Sequence, residues 1–459
     1  MTMPAVQSPG GDGARDRLRQ AIAASELPCY VYSYPSKRAY RPFEKALPLA
    51  EAWRDARGPL NLYVHIPFCA YRCSFCTLFL TTSHGPDLVQ AYVDALCRQM
   101  ATYAPLVGRM EILSLYIGGG TPTTLSPSQF VQLFDALRRN FPRWAPGAEI
   151  SVEGSPDSMT RDRLECLKQA GVTRVSMGLQ TLDPDEQRRV GRPYAPGDVR
   201  RAVACINEIG FDNVNYDLIY GLEGQQRASW LTSLGATVGF APKTITLYPV
   251  VFRPLTAIQK RFERQASGFL ADESKYALYD ESVAFLAGRG FRQDSFVRFT
   301  TLSRSGLRQE TADFAGVPLL GLGAGARSYS DLVHYSTDFA VRRTATLDII
   351  NGFVAHQHRP EQPLDRGFLL DEDERRRRFC VLNLSLGRLD PADYARRFGA
   401  ASLADLAPEL EALAAEGCVD VTADGAYQLT PRGFKYSNVM GELFKSRRVD
   451  ALERSYVPA

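Results

Sequence analysis

"LYVHIPFCAYRCSFCTLFL", residues 62–80, runs from an apolar, strand-like segment into a polar turn that carries Cys69, Cys73 and Cys76. Thiols this close together on one loop are, in a reducing compartment, metal ligands far more often than disulfide partners. Zinc normally closes its shell with four ligands, and His65, four residues ahead of Cys69, offers the fourth. A tetranuclear iron–sulfur cluster held by three cysteines instead leaves one iron open, which is useful for catalysis. On this loop alone, both readings stand.

Working outward, the loop follows the first of six apolar strand candidates: "LNLYVHI", "ILSLYIGGG", "EISVEG", "RVSMGLQ", "NVNYDLIYG" and "TITLYPVV". Helical stretches such as "DLVQAYVDALCRQMATYA", "SPSQFVQLFDALRRNF" and "PGDVRRAVACINEIG" separate them, so the pattern predicts an α/β fold with a parallel sheet. An open doubly wound sheet and a barrel both fit that spacing. The chemically suggestive residues fall at the C-terminal ends of successive strands, where barrel active sites sit. We therefore expect a partial (β/α)6 TIM-like barrel over residues 56–300. Before it, residues 1–55 read as a leader, flexible to about residue 15, and an irregular arm rich in Tyr and Pro. After it, residues 301–365 form an extension and linker with the Gly-rich "VPLLGLGAGARSY". Residues 366–459 suggest three helices and a two-stranded wing, a small α+β module of winged-helix type.

Composition excludes several classes. The 54 basic residues nearly balance 51 acidic ones, a formal charge of +3, so no electrostatic footprint for nucleic acid is expected. The winged-helix-like module has no basic recognition face. Arg375 to Arg378 follow Asp371 to Glu374 and read as a solvated helix face with i,i+4 pairs. No apolar run is long enough for a membrane helix and no secretory signal stands at the N-terminus, so a cytoplasmic location without membrane partners is expected. Of the nine cysteines, Cys29, Cys97, Cys166, Cys205, Cys380 and Cys418 are scattered singly and read as buried apolar thiols. "HQH", residues 356–358, is a candidate haem ligand or a polar loop.

"YIGGGTP", residues 116–122, ends the second strand, where three glycines let backbone pass close to a ligand. A cysteine loop after strand one and this turn after strand two should face each other across a barrel mouth. CxxxCxxC after "YVHIPF", then GGGTP, "SVEGSPD", "RVSMGLQTLDPDEQRRVGR", "NYDLIYGL", "TLYPVVFRP" and "LLGLGAGARSY" resembles a radical S-adenosylmethionine (SAM) enzyme of the oxygen-independent coproporphyrinogen III oxidase (HemN-like) superfamily. The resemblance spans roughly residues 60–330.

The resemblance implies the following. Cys69, Cys73 and Cys76 ligate three irons of a [4Fe–4S] cluster, and SAM chelates the fourth, which accounts for the missing ligand. Tyr63 stands beside the first SAM and Phe75 packs on its adenine. Gly119, Gly120 and Thr121 contact its methionine part, and Glu153 accepts its ammonium group. Gln180, Arg192 and Asp217 hold carboxylate and ribose groups of two SAM molecules, and Ile219 and Val251 make adenine contacts. An electron donor such as flavodoxin or ferredoxin is implied as partner. No conventional side-chain acid, base or nucleophile is identified.

Two departures bear on the reaction. Coproporphyrinogen oxidases carry a further cysteine two positions after the third, where this chain has Leu78. The arm "YVYSYPSKRAYRPF" looks more like HemN-like methyltransferases. The resemblance therefore points first to the class C methyltransferase and cyclopropanase branch. There, one SAM gives a 5′-deoxyadenosyl radical and the other a methylene radical, for C-methylation or cyclopropanation of an sp² carbon in an aromatic or conjugated natural-product intermediate. The alternatives are an anaerobic haem-degrading methyltransferase, an oxygen-independent coproporphyrinogen III oxidase and a non-catalytic haem chaperone.

Overall fold

The computed structural model describes residues 11–24, 31–192, 194–253, 256–338, 340, 342–359 and 361–456. Cys29 lies outside them. The chain divides into two compact units, one of Tyr40–Gln293 with Arg298–Leu370, the other of residues up to Ala39, Asp294–Val297 and Asp371–Tyr456.

The first unit is built on one sheet. Its strands are β1 (Arg41–Pro48), β2 (Pro59–Ile66), β3 (Glu111–Gly119), β4 (Trp144–Gly154), β5 (Arg174–Gln180), β6 (Asn213–Tyr220), β7 (Thr244–Pro249), β8 (Arg292–Gln293), β9 (Arg298–Thr300), β10 (Leu319–Leu322), β11 (Arg327–Tyr329), β12 (Val333–Ser336) and β13 (Pro363–Leu369). The six expected strands, β2 to β7, lie side by side in sequence order and pair in parallel. β10 extends the parallel set beyond β2. Antiparallel strands finish both ends, and β1 and β8 are the unjoined edges, so the architecture is a partial barrel. β5 and β6 are buried along nearly their whole length, as parallel strands flanked by crossover helices must be.

The crossover helices follow local rules. Pro127–Asn140 begins at Ser126, which forms a capping box with Gln129, and Pro127 takes the first turn, where its missing N–H costs nothing. Phe130, Leu133, Phe134 and Leu137, at i, i+3, i+4 and i+7, are its buried stripe. Each contributes about 1.5–3 kcal/mol by leaving water.

The structure differs from the sequence reading at several places. A helix runs from Gly11 to Ala23, so the leader expected to be flexible to about residue 15 is helical from Gly11. Part of the irregular arm, Arg41–Pro48, is a strand on β13, because an edge needs hydrogen bonds from only one side and tolerates Pro42 and Pro48. Residues 301–365, read as barrel extension and linker with a Gly-rich strand and turn, hold β10 and β11 within that Gly-rich stretch, and β12 after it. Cys97 and Cys166 are half-buried, not buried.

The second unit carries helices Glu372–Ser385, Pro391–Phe398 and Ala407–Ala415, and a sheet of Arg388–Leu389, Tyr427–Leu429 and Val419–Val421, one short strand more than expected. Arg15 and Arg19 of the N-terminal helix both pair with Glu416. Tyr34 Oη donates to Glu374 Oε2 at 2.7 Å. The arginine run is not a solvated face: Arg378 is buried, and Arg376 and Arg377 keep only 16% and 19% exposure while pairing with Asp373.

Two loops at the C-terminal ends of β2 and β3 are joined through backbone. Gly120 N–H donates to Ile66 O at 2.7 Å and Thr121 N–H to Phe68 O at 2.8 Å. A Cβ on Gly120 would stand 2.7 Å from Phe68 O and 3.0 Å from Ile66 O, both immobile atoms. Gly120→Ala is therefore expected to cost about 1–3 kcal/mol in thermal or denaturant unfolding. The control Gly85→Ala, with nothing within 4 Å of its Cβ, should change stability far less.

Candidate active site

At the barrel mouth, Cys69 is buried on the loop after β2, and Cys73 and Cys76 are half-buried. Cys69 N–H donates to Thr81 O at 3.1 Å and Cys76 N–H to Cys73 O at 3.2 Å, so backbone fixes both ends of the loop. Cys69 Sγ lies 3.2 Å from Thr121 Oγ1, directly linking the cysteine loop to the Gly-rich turn. Burial pushes the Cys69 thiol up to about 12 and the Cys76 thiol to about 11. Thiolates here need a positive centre. Arg192 Nε provides one beside Cys73 Sγ, at 3.4 Å. Burial opposes the Arg192 charge, yet Tyr194 and Cys73 outweigh it and hold the guanidinium above its ordinary pKa.

His65 is not a metal ligand in this arrangement. Its Nε2 lies 2.8 Å from Phe79 O, and a carbonyl only accepts, so Nε2 carries the proton. Burial lowers its pKa to about 4. In the neutral ring Nδ1 then accepts from Tyr63 Oη, 2.9 Å away. Both nitrogens are used, and the zinc reading loses its fourth ligand. Among the described residues no three His, Cys, Asp or Glu side chains are grouped for a single ion.

The other predicted residues gather at neighbouring strand ends. Tyr63 stacks with Tyr116, ring centres 6.2 Å apart, in the β2–β3 register that pairs them. Glu153 accepts from Tyr116 Oη at 2.6 Å and from Gly119 N–H at 3.1 Å. Burial pushes its carboxyl up to about 7, with Tyr116 and Gly119 opposing and Asp217 reinforcing the rise. Burial also raises Asp217, against Arg174 and donors from Asn215 (2.8 Å) and Ser176 (3.1 Å). Gln180 has a left-handed backbone, φ 66°, and its side-chain Oε1 is buried with no hydrogen-bond partner. An orphaned buried carbonyl of this kind calls for a donor from a ligand. Phe75 packs against the buried cluster of Ile219, Leu222, Val250, Val190 and Ile258. Val251 is half-buried, and it is Val250 that joins Ile219 in that cluster.

Sequence reasoning missed Tyr116, Arg174 and Tyr194. Tyr116 was legible as the residue opposite Tyr63 in a parallel register. Arg174 was legible as a charge opening an otherwise apolar strand; it donates to Ser151 Oγ at 2.9 Å and Gly306 O at 3.1 Å inside the sheet. In "HQH", His358 Nε2 lies 3.0 Å from Phe353 O, and His356 Nδ1 accepts from His358 N–H at 2.8 Å.

The Synechocystis protein named oxygen-independent coproporphyrinogen III oxidase is 31% identical over 410 residues, 82% of this chain and 83% of that protein. This chain belongs to the HemN-like branch of the radical SAM superfamily. The Radical SAM superfamily model matches residues 63–234 of this HemN-like chain. The solved structure of coproporphyrinogen III oxidase (HemN) from Escherichia coli superposes with a TM-score of 0.76 at 26% identity, covering 91% of this chain and 97% of the other. A Bacillus subtilis protein named haem chaperone HemW is 28% identical over 269 residues, 59% of this chain and 70% of its own length. Membership implies a [4Fe–4S] cluster and SAM, and the cysteine loop and the orphaned Gln180 carbonyl fit that pair. No helix among the described residues is long and apolar enough to cross a membrane.

The Glu153 shift has a sign that can be measured. Its folded pKa of about 7 lies above the ordinary 4.5, so the folded chain binds the proton more tightly than the unfolded one. The associated stability is fully present below about pH 4.5 and is lost as pH rises through 7. In cofactor-free protein, melting at pH 5 and pH 8 should show a loss of roughly 1–3 kcal/mol that Glu153→Gln largely removes.

Proposed function

We propose that this chain is a catalytic radical SAM enzyme with two SAM positions, acting on a porphyrinogen-type substrate by oxygen-independent oxidation. The observation that carries it is the assembly of Cys69, Cys73, Cys76, Glu153, Gln180, Arg192 and Asp217 at the ends of adjacent parallel strands. A cluster and SAM held at this site would supply radical chemistry able to take hydrogens that no side-chain base removes. The polypeptide's own work is to bind and orient. Cys69, Cys73 and Cys76 would hold the cluster, with Thr121 beside Cys69 and Arg192 beside Cys73 offsetting thiolate charge. Glu153, ionised when an ammonium group meets it, would fix the first SAM together with the Gly119–Gly120 backbone. Phe75 and Ile219 offer apolar surface to adenine, and water is excluded by the same cluster. Gln180, Arg192 and Asp217 provide acceptors and a cation for a second SAM.

The substrate class follows the relatives, whose printed names favour oxidation over C-methylation or cyclopropanation. A second reading, methyl or methylene transfer from the second SAM, is favoured by one observation. Leu78, two residues after Cys76, is 49% exposed and brings no thiol where coproporphyrinogen oxidases carry one. The haem-chaperone reading draws on the HemW likeness alone.

Anaerobic, reduced, reconstituted protein given SAM and coproporphyrinogen III separates them. Oxidation predicts 5′-deoxyadenosine without S-adenosylhomocysteine; methylene transfer predicts both; a chaperone makes neither. Cys73→Ala should lose nearly all iron and all 5′-deoxyadenosine, and retention of about four irons per chain would contradict the ligand assignment.

A further inference from the structure

On helix Asp272–Ala287, Lys275 is 1% exposed, although lysine is almost never fully buried unless paired. Its Nζ lies 3.1 Å from Asp272 Oδ1, on a carboxylate that is itself 35% exposed. Among the described residues that is its one hydrogen-bond acceptor. The stem of Lys275 crosses Gly221, which follows β6. A Cβ there would lie 3.1 Å from Lys275 Cε and 3.1 Å from Val250 Cγ1, and φ is +83°. The absence of that Cβ is what lets the ammonium reach inward.

The ammonium stands 5.0 Å from the centre of the Phe252 ring. Phe252 stacks on Phe262 at 4.2 Å and meets Phe269 edge-on at 5.2 Å. All three rings are half-buried. Phe252 and Phe269 pack on the same cluster as Phe75 and Ile219. Ile258 N–H, in the same segment, donates to Ser74 O at 3.0 Å, so this surface is tied to the cysteine loop.

The geometry points to Lys275 as the anion anchor of a substrate subsite: it takes a carboxylate of a molecule built of pyrrole rings, one of which lies against Phe252, Phe262 and Phe269. This rests on the proposed function and gives its substrate a point of attachment. A bound carboxylate would accept the N–H donors that Asp272 leaves over, in charge-assisted hydrogen bonds. If Lys275 were only a helix clamp, an apolar side chain of equal length would serve as well.

The test is a fluorescence titration of the reconstituted full chain with coproporphyrin III, the fluorescent oxidised counterpart of coproporphyrinogen III with the same four carboxylates, and with its uncharged tetramethyl ester. Wild type should bind the acid at least tenfold more tightly than the ester. Lys275→Met should abolish that preference and Lys275→Arg should keep it. An undiminished preference in Lys275→Met, or a wild type that binds the acid no better than the ester, overturns the anchor. Should Lys275→Met fail to fold, Phe252→Leu, which keeps the ammonium, is expected to weaken acid and ester alike, and weakening neither overturns the proposal. 5′-Deoxyadenosine from SAM is measured in the same samples. A wild type that makes none overturns the proposed function; normal amounts with unaltered Lys275→Met binding overturn the anchor alone.

Discussion

Everything at the barrel mouth depends on how closely the loops after β2 and β3 approach. The two backbone hydrogen bonds from Gly120 and Thr121 to Ile66 and Phe68 hold the cysteine loop against the Gly-rich turn. A side chain at Gly120 would meet carbonyl oxygens that have nowhere to go, and one at Gly119 would stand 2.6 Å from the His65 ring. His65 in turn is locked between Tyr63 and Phe79. The histidine that looks like a metal ligand in the sequence is thus a spacer that fixes the distance between strand and loop.

On this frame the inner surface of the sheet carries charge. Glu153 and Asp217 are enclosed carboxylates whose pKa values rise because burial disfavours their ionised forms. Arg174 partly compensates both. Such a site is uncomfortable without a ligand and suits one that brings its own positive charge. A sulfonium amino acid carries both an ammonium group and a sulfonium centre, and an orphaned carbonyl on Gln180 accepts a further donor. Strain of this kind concentrates where a ligand completes the electrostatics, and it appears here at β4, β5 and β6 together.

The segment after β7 adds a different chemistry. Its Phe252 and Phe269 pack on the same cluster as Phe75, Phe262 stacks on Phe252, and the enclosed Lys275 ammonium stands by the Phe252 ring.

Six strands, their order and the cysteine loop were legible in the sequence because parallel strands buried on both faces are continuous apolar runs, and because CxxxCxxC and GGGTP are local. The edge strand Arg41–Pro48, the buried Arg378 and the helix within the leader were not. Their burial or pairing depends on partners hundreds of residues away, such as Gly367 for Arg41 and Glu416 for Arg15. Local spacing likewise offered His65 as a zinc ligand, and only tertiary structure, by placing Phe79 O and Tyr63 Oη on its two nitrogens, decided that it is not one. The sequence by itself determined the fold class and the cysteine loop, since both are written in neighbouring residues. Which side chains are enclosed, paired or left without a partner was decided by the folded sheet, since burial and hydrogen bonding exist only once distant segments meet.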